Sequence, residues 1–66
     1  MEHVVVYLEQ KHIDLIQELL GRKLTWQEKA PMYQRTTTSS LHQAERLVEH
    51  FRLTGHIAFI EENSQE

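Results

Sequence analysis

The fold of this 66-residue chain is decided by Val4-Val5-Val6-Tyr7-Leu8 near one end and Ile57-Ala58-Phe59-Ile60 near the other. Both runs are rich in β-branched and aromatic residues and are bounded by polar residues, a pattern that is typical of short strands. Neither strand can be stable alone, because a small sheet needs several strands or a helix packed against it. We therefore expect both terminal strands to lie in one sheet, beneath the helical segments that separate them.

Two segments between these strands have the periodicity of amphipathic helices. The first, residues 11–20, is predicted to end at Gly21, because glycine readily adopts the left-handed cap. The second is predicted to begin with a capping box, in which Ser40 caps the first turn and Gln43 reaches back, and to end at Gly55. The predicted apolar stripes are Ile13, Ile16, Leu19 and Leu20 in the first helix, and Leu41, Ala44, Leu47, Val48 and Phe51 in the second.

The middle segment, residues 24–38, leaves two chain orders open. Residues 24–28 alternate weakly and residues 32–37 are rich in β-formers, so a hairpin would give βαββαβ, the order of the split βαβ fold. That topology buries its third strand, yet residues 32–37 are too polar for a buried position. The other order is βα-loop-αβ, in which the middle segment wraps irregularly against the helices.

Either order gives the α+β class: a small sheet that contains both terminal strands and is covered on one face by two helices. We expect residues 1–60 to form a single compact domain and residues 61–66, which are polar and acidic, to form a disordered tail. A domain of this size has a thin stability margin, and the chain has no cysteine for disulfides. A homodimer that continues the sheet or covers its bare face is therefore expected.

The composition also bears on location and on partners. The chain has no cysteine, no apolar run long enough to cross a bilayer and no signal-peptide pattern at its start, so we expect a cytoplasmic protein without membrane contact. Ten acidic and seven basic residues give a formal net charge of −3, which disfavours general binding to nucleic acid.

The sequence favours no enzymatic chemistry. The five histidines include no pair with the spacing of a metal motif, and Arg46 lies between His42 and His50, where it would repel a cation. The hydroxyl-rich run, residues 36–40, is explained by helix capping, and both glycines are explained as helix caps rather than as a phosphate-binding loop. We expect no catalytic residue, no metal and no cofactor.

The segment from residue 22 to residue 38 is the best candidate for recognition. It interleaves cations with large aromatic side chains, a combination found in protein hot spots and in surfaces that stack on nucleic-acid bases. The candidate binding residues are Arg22, Lys23, Trp26, Tyr33 and Arg35. A plainer interpretation is that Trp26 and Tyr33 belong to the core, since large aromatics are usually much buried.

The function expected from this pattern is that of a small regulatory or inhibitory protein that acts by protein contact, with the two aromatics as anchors and the cations as a polar rim. The alternative is a regulator that binds nucleic acid through the same segment. Salt separates the two hypotheses, because phosphate contacts make affinity fall steeply with salt concentration, whereas an aromatic anchor does not.

Overall fold

The computed structural model describes residues 2–61, which form a three-stranded antiparallel sheet with helices packed against it. The elements in chain order are β1 (His3–Glu9), α1 (Gln10–Leu20), α2 (Trp26–Lys29), a 3-10 turn (Ala30–Met32), β2 (Gln34–Thr38), α3 (Leu41–Leu53) and β3 (His56–Glu61). This confirms the α+β class and the pairing of the two terminal strands. Of the predicted acidic tail, residues 62–66 lie outside the described residues, whereas Glu61 ends β3.

The strand order is β2-β1-β3, so β1 is central and pairs antiparallel with both edge strands. Val5 lies opposite Thr36 of β2 and Ile60 of β3. Because both edge strands run opposite to β1, they are parallel to each other, and α3 connects them across the central strand. The result is a split βαβ arrangement with one strand fewer than the hairpin order predicts.

The middle segment differs from both predicted orders, because residues 26–29 are helical whereas residues 34–38 form a strand. The helix is explained by a capping box: the Thr25 hydroxyl accepts a hydrogen bond from the Glu28 backbone N–H at 3.3 Å, and the Glu28 carboxylate accepts one from the Thr25 N–H at 2.9 Å. With no strand at residues 24–28, β2 becomes an edge strand. Its polar composition is compatible with that position, since an edge strand is only partly covered.

One face of the sheet packs against α3, and we call it the α3 face. Its buried residues are Val5, Ala44, Val48 and Ala58, and the half-buried Tyr7, Leu47, Phe51 and Ile60 pack around them. The Ser40 hydroxyl accepts a hydrogen bond from the Gln43 backbone N–H, as predicted, but within residues 2–61 the predicted return bond from the Gln43 side chain is absent. Gly55 adopts a φ of 85° in the turn that follows α3. The predicted stripe of α3 therefore packs on the sheet, except for Leu41, which is about half exposed at 49%.

The opposite face, which we call the Tyr33 face, is covered by α1 and by the segment around α2. Its buried residues are Val6, Leu8, Ile13 and Tyr33, with Val4, Leu24, Met32, Ile57 and Phe59 packed around them. The two long helices thus lie on different faces, whereas the sequence predicted them on the same one. The reason is that consecutive residues of a strand point to opposite faces, so the run Val4-Val5-Val6 presents apolar side chains to both.

The first helix ends where the sequence predicts, because Gly21 adopts a φ of 74° and its N–H donates to the Gln17 carbonyl at 2.9 Å. Its stripe, however, is not buried along its length. Ile13 is buried against the sheet, but Leu19 remains 77% exposed, because the helix contacts the sheet mainly through its first turns. Among residues 2–61, no helix combines the length and the apolar character that a membrane span requires.

Candidate functional site

Three aromatic rings form a connected row on the Tyr33 face, which we call the aromatic ladder: Trp26, Tyr33 and Phe59. The ring centroids of Trp26 and Tyr33 are 5.7 Å apart and their planes are tilted by 52°. Tyr33 contacts Phe59 edge to face, also at 5.7 Å between centroids. Both separations lie in the range of favourable aromatic pairs.

Exposure differs sharply along the ladder. Tyr33 is buried at 9% exposure, and Phe59 is half-buried, whereas Trp26 is 58% exposed. The ladder therefore holds an exposed indole over a base of packed rings, so Trp26 can offer a large apolar surface to a partner without a large loss of side-chain freedom.

A groove of about 190 Å³ lies beside the ladder and is also lined by Val6 and Ala30. Arg35 of β2 and Glu61 of β3 form its charged rim, with Arg35 Nε 3.1 Å from Glu61 Oε1. Since β1 separates these two strands, the ion pair reaches across the central strand. The groove thus has an apolar floor and a rim whose two charges neutralise each other.

Trp26 is the first residue of α2, so the capping box that starts the helix also positions the indole. Arg22 reinforces this start with a bidentate ion pair, in which Nη1 is 3.0 Å from Glu28 Oε1 and Nη2 is 2.8 Å from Glu28 Oε2. Arg22 Nη1 also donates to the Lys23 carbonyl at 3.2 Å. The Arg22–Glu28 pair therefore ties the loop after α1 to the helix that carries Trp26.

The capping carboxylate should titrate at unusually low pH. The hydrogen bonds from the Arg22 side chain and the Thr25 backbone hold the pKa of Glu28 at about 2, below its ordinary value of 4.5. Because the folded-state pKa is lowered, the stabilisation from this carboxylate is present above pH 4.5 and is lost as the pH falls towards 2. NMR titration of the Glu28 carboxyl and the Thr25 amide should therefore give a midpoint near 2.

The matched variant for this titration is Arg22→Gln. It removes the largest cause of the shift but keeps the hydrogen bond from Thr25, so the Glu28 midpoint should rise without reaching 4.5. A wild-type midpoint near 4.5 would show that the ion pair and the capping box do not persist in solution.

The sequence-predicted site residues do not form one surface. Trp26, Tyr33 and Arg35 line the same groove, although Tyr33 is buried at 9% exposure. Arg22 and Lys23 are exposed on the loop before α2, and Arg22 is engaged with Glu28. The structure thus brings together three of the five candidates, and it buries most of one of those three, Tyr33.

Phe59, Val6 and the ion-pair partner Glu61 also line the groove, although the sequence did not indicate them as site residues. The available signal was the alternation in β3, where Phe59 must point to the face opposite Ala58 and Ile60. In α1, Leu19 and Leu20 were predicted to belong to the buried stripe but are exposed, as is Leu15.

A second groove, of about 260 Å³, contains ionisable side chains near the end of β1. It is lined by Glu9, His12 and His56 together with Tyr7 and other residues. Within residues 2–61, however, no group of three or more histidine, cysteine, aspartate or glutamate side chains is arranged to hold a metal ion.

Comparison of the chain with protein-family models, with curated proteins and with solved structures finds no match. The aromatic ladder and its groove are therefore the features from which a function can be inferred.

Proposed function

We propose that this protein is a non-enzymatic regulator or inhibitor that acts by protein contact, with Trp26 as the anchor of its binding surface. The observation that carries the proposal is the exposed indole of Trp26, which is held on the buried ring of Tyr33 at the edge of an apolar groove. Tryptophan dominates interface hot spots when it is packed, central and bordered by polar groups. The aromatic ladder supplies the packing, and the Arg35–Glu61 ion pair supplies the polar border.

The charges around the ladder favour a protein partner over nucleic acid. Two of the three candidate cations, Arg22 and Arg35, are ion-paired with Glu28 and Glu61. Phosphate binding would have to compete with both carboxylates, and binding to nucleic acid depends mainly on unpaired positive charge. The proposal includes a homodimer and a cytoplasmic location, and the lack of cysteine in the sequence is compatible with that location.

Trp26→Ala should abolish most partner binding without unfolding the protein. Because the side chain is largely exposed, its removal costs little stability, but a hot-spot tryptophan contributes about 2 kcal/mol or more to binding, which is about 30-fold in Kd. Partners should be captured from a native lysate with the wild-type chain, and their affinity for the wild type and the variant measured by calorimetry.

The matched control is Leu41→Ala, which truncates an exposed apolar residue on α3, across the sheet from the ladder. It should leave the affinity unchanged. Equal affinities of Trp26→Ala and wild type would contradict the proposed surface. An affinity that falls by several powers of ten between about 50 and 200 mM salt would favour the nucleic-acid alternative.

A further inference from the structure

The outer edge of β3 is unpaired within the described chain, because β3 pairs with β1 alone. The hydrogen-bond pattern between β1 and β3 shows which backbone groups of β3 face outward. The Gln10 N–H donates to the Gly55 carbonyl at 3.0 Å, so this pair is a hydrogen-bonded one, and hydrogen-bonded pairs recur at every second position of an antiparallel ladder. The other hydrogen-bonded pairs are therefore Leu8–Ile57, Val6–Phe59 and Val4–Glu61.

The backbone N–H and C=O groups of Ala58 and Ile60 consequently point away from β1, towards the free edge. A contact from α3 supports this assignment: Arg52 Nε donates a hydrogen bond to the Ala58 carbonyl at 3.1 Å. The carbonyl keeps a second lone pair, so it can accept another hydrogen bond in the same direction. The edge is thus ready to pair with a further strand.

A groove of about 380 Å³ runs beside this edge, between β3 and α3. Its α3 side carries Glu49, Arg52 and Leu53, and Leu53 is 80% exposed. Within residues 2–61, Arg52 has no carboxylate at ion-pair distance. The edge therefore combines backbone groups that have no partner strand, an exposed apolar side chain and charges of both signs.

We infer that β3 pairs antiparallel with β3 of a second copy of this chain, with the two-fold axis at Phe59. The outward groups must meet one another, so Ala58 of each copy lies opposite Ile60 of the other and exchanges backbone hydrogen bonds with it. The two sheets then join into one continuous sheet of six strands, two times the three of each copy.

The charged side chains beside β3 favour this register and favour a second copy of the chain as the partner strand. Arg52 lies beside Ala58. Glu49 lies three residues before Arg52, about 4.5 Å away along the axis of α3. Because β3 runs antiparallel to α3, Glu49 lies near Ile60, which lines the same groove. With the axis at Phe59, each Arg52 faces Glu49 of the other copy. An axis at Ala58 would oppose the two Arg52 side chains, and an axis at Ile60 would oppose the two Glu49 side chains.

The same register brings the two Phe59 side chains together at the axis. They form a non-hydrogen-bonded pair, in which the strands approach more closely and side chains make their best cross-strand contacts. The aromatic ladders of the two copies would then meet at their inner ends, with Trp26 at the outer end of each. This inference deepens the homodimer part of the proposed function, and it leaves Trp26 free for another partner.

Amide hydrogen exchange tests the inference on the wild-type chain. The protein is measured by NMR at a low concentration and at one where sedimentation shows a dimer. The amides of Ala58 and Ile60 should exchange at least about tenfold more slowly in the dimer. The matched control is the outer edge of β2, where the alternation points the amides of Arg35 and Thr37 outward, and these should not change. A chain that stays monomeric at millimolar concentration, or a dimer that protects the β2 edge instead, would overturn the inference.

Charge variants test the register. Glu49→Arg and Arg52→Glu each create two like-charged contacts across the axis and should weaken the dimer by about tenfold or more, whereas an equimolar mixture of the two should associate as a heterodimer with every contact complementary. Unchanged self-association of both variants would overturn the register. Trp26→Ala should dimerise normally, so loss of partner binding and loss of the dimer are separate results, and a dimer abolished by Trp26→Ala would refute the assignment to β3.

Discussion

Val5→Asp is expected to unfold the protein at 25 °C. Val5 lies in the middle of the central strand and has 0% exposure, enclosed by Ala44 and Val48 of α3 and by Ala58 of β3. These neighbours have no side-chain group that could pair with a carboxylate. A charge buried without a partner costs several kcal/mol, whereas a domain of 66 residues has a total stability of about 3–10 kcal/mol. Far-UV circular dichroism should show loss of the native spectrum.

Two variants make this result interpretable. Val5→Ala removes two methyl groups and should cost about 2 kcal/mol, measured by urea denaturation, with the fold retained. Gln34→Asp places the same carboxylate on an exposed position of β2 and should leave the protein folded. A Val5→Asp protein that melts like wild type would show that β1 is not the centre of the sheet.

The elements that the sequence predicts well are those whose local signals agree with their environment. Residues 3–9 and 56–61 have high β-propensity and lie where apolar strands are needed, so pattern and packing favour the same structure. The C-terminal end of α1 and the start of α3 are fixed by Gly21 and Ser40, whose effects are local and hence visible in sequence.

The structure of the middle segment is harder to predict from sequence, because its weak alternation of apolar residues competes with a capping signal. Thr25 and Glu28 have the spacing of a capping box, and the two hydrogen bonds of that box favour a helical turn over a strand. Only β-propensity would favour a strand at residues 24–28, and β-propensity depends strongly on the side chains that pack around the strand. Local hydrogen bonds therefore determine the structure of this segment, which periodicity alone does not predict.

The candidate site was only partly predictable, for a related reason. Composition identifies Trp26 and Tyr33 as large aromatics near cations, but their exposure depends on contacts with Phe59, which is distant in sequence. The ring that packs against Phe59 is buried and the other remains accessible. Similarly, the pairing of Arg35 with Glu61 depends on the strand order, so no local pattern reveals that this cation is neutralised.

Phe51→Ala is expected to be the most damaging truncation of a half-buried side chain in α3. The Phe51 ring is stacked on Tyr7, with 4.1 Å between centroids and an angle of 10° between planes, and His56 contacts it at 5.3 Å. Loss of the ring removes the contact by which the last turns of α3 hold the end of the central strand. Because Phe51 is only partly buried, the cost should be about 2–3 kcal/mol, somewhat below that of a fully buried phenylalanine.

For a domain of this size, that loss corresponds to a fall in Tm of about 10–20 °C, measured by thermal denaturation at the lowest protein concentration that the signal allows. Leu53→Ala is the matched control, since it truncates an apolar residue two positions further along the same helix at 80% exposure. Its cost should stay within about 0.5 kcal/mol. Comparable losses in the two variants would mean that α3 does not present Phe51 to the sheet, and the α3 face described above would then require a different rotation of the helix.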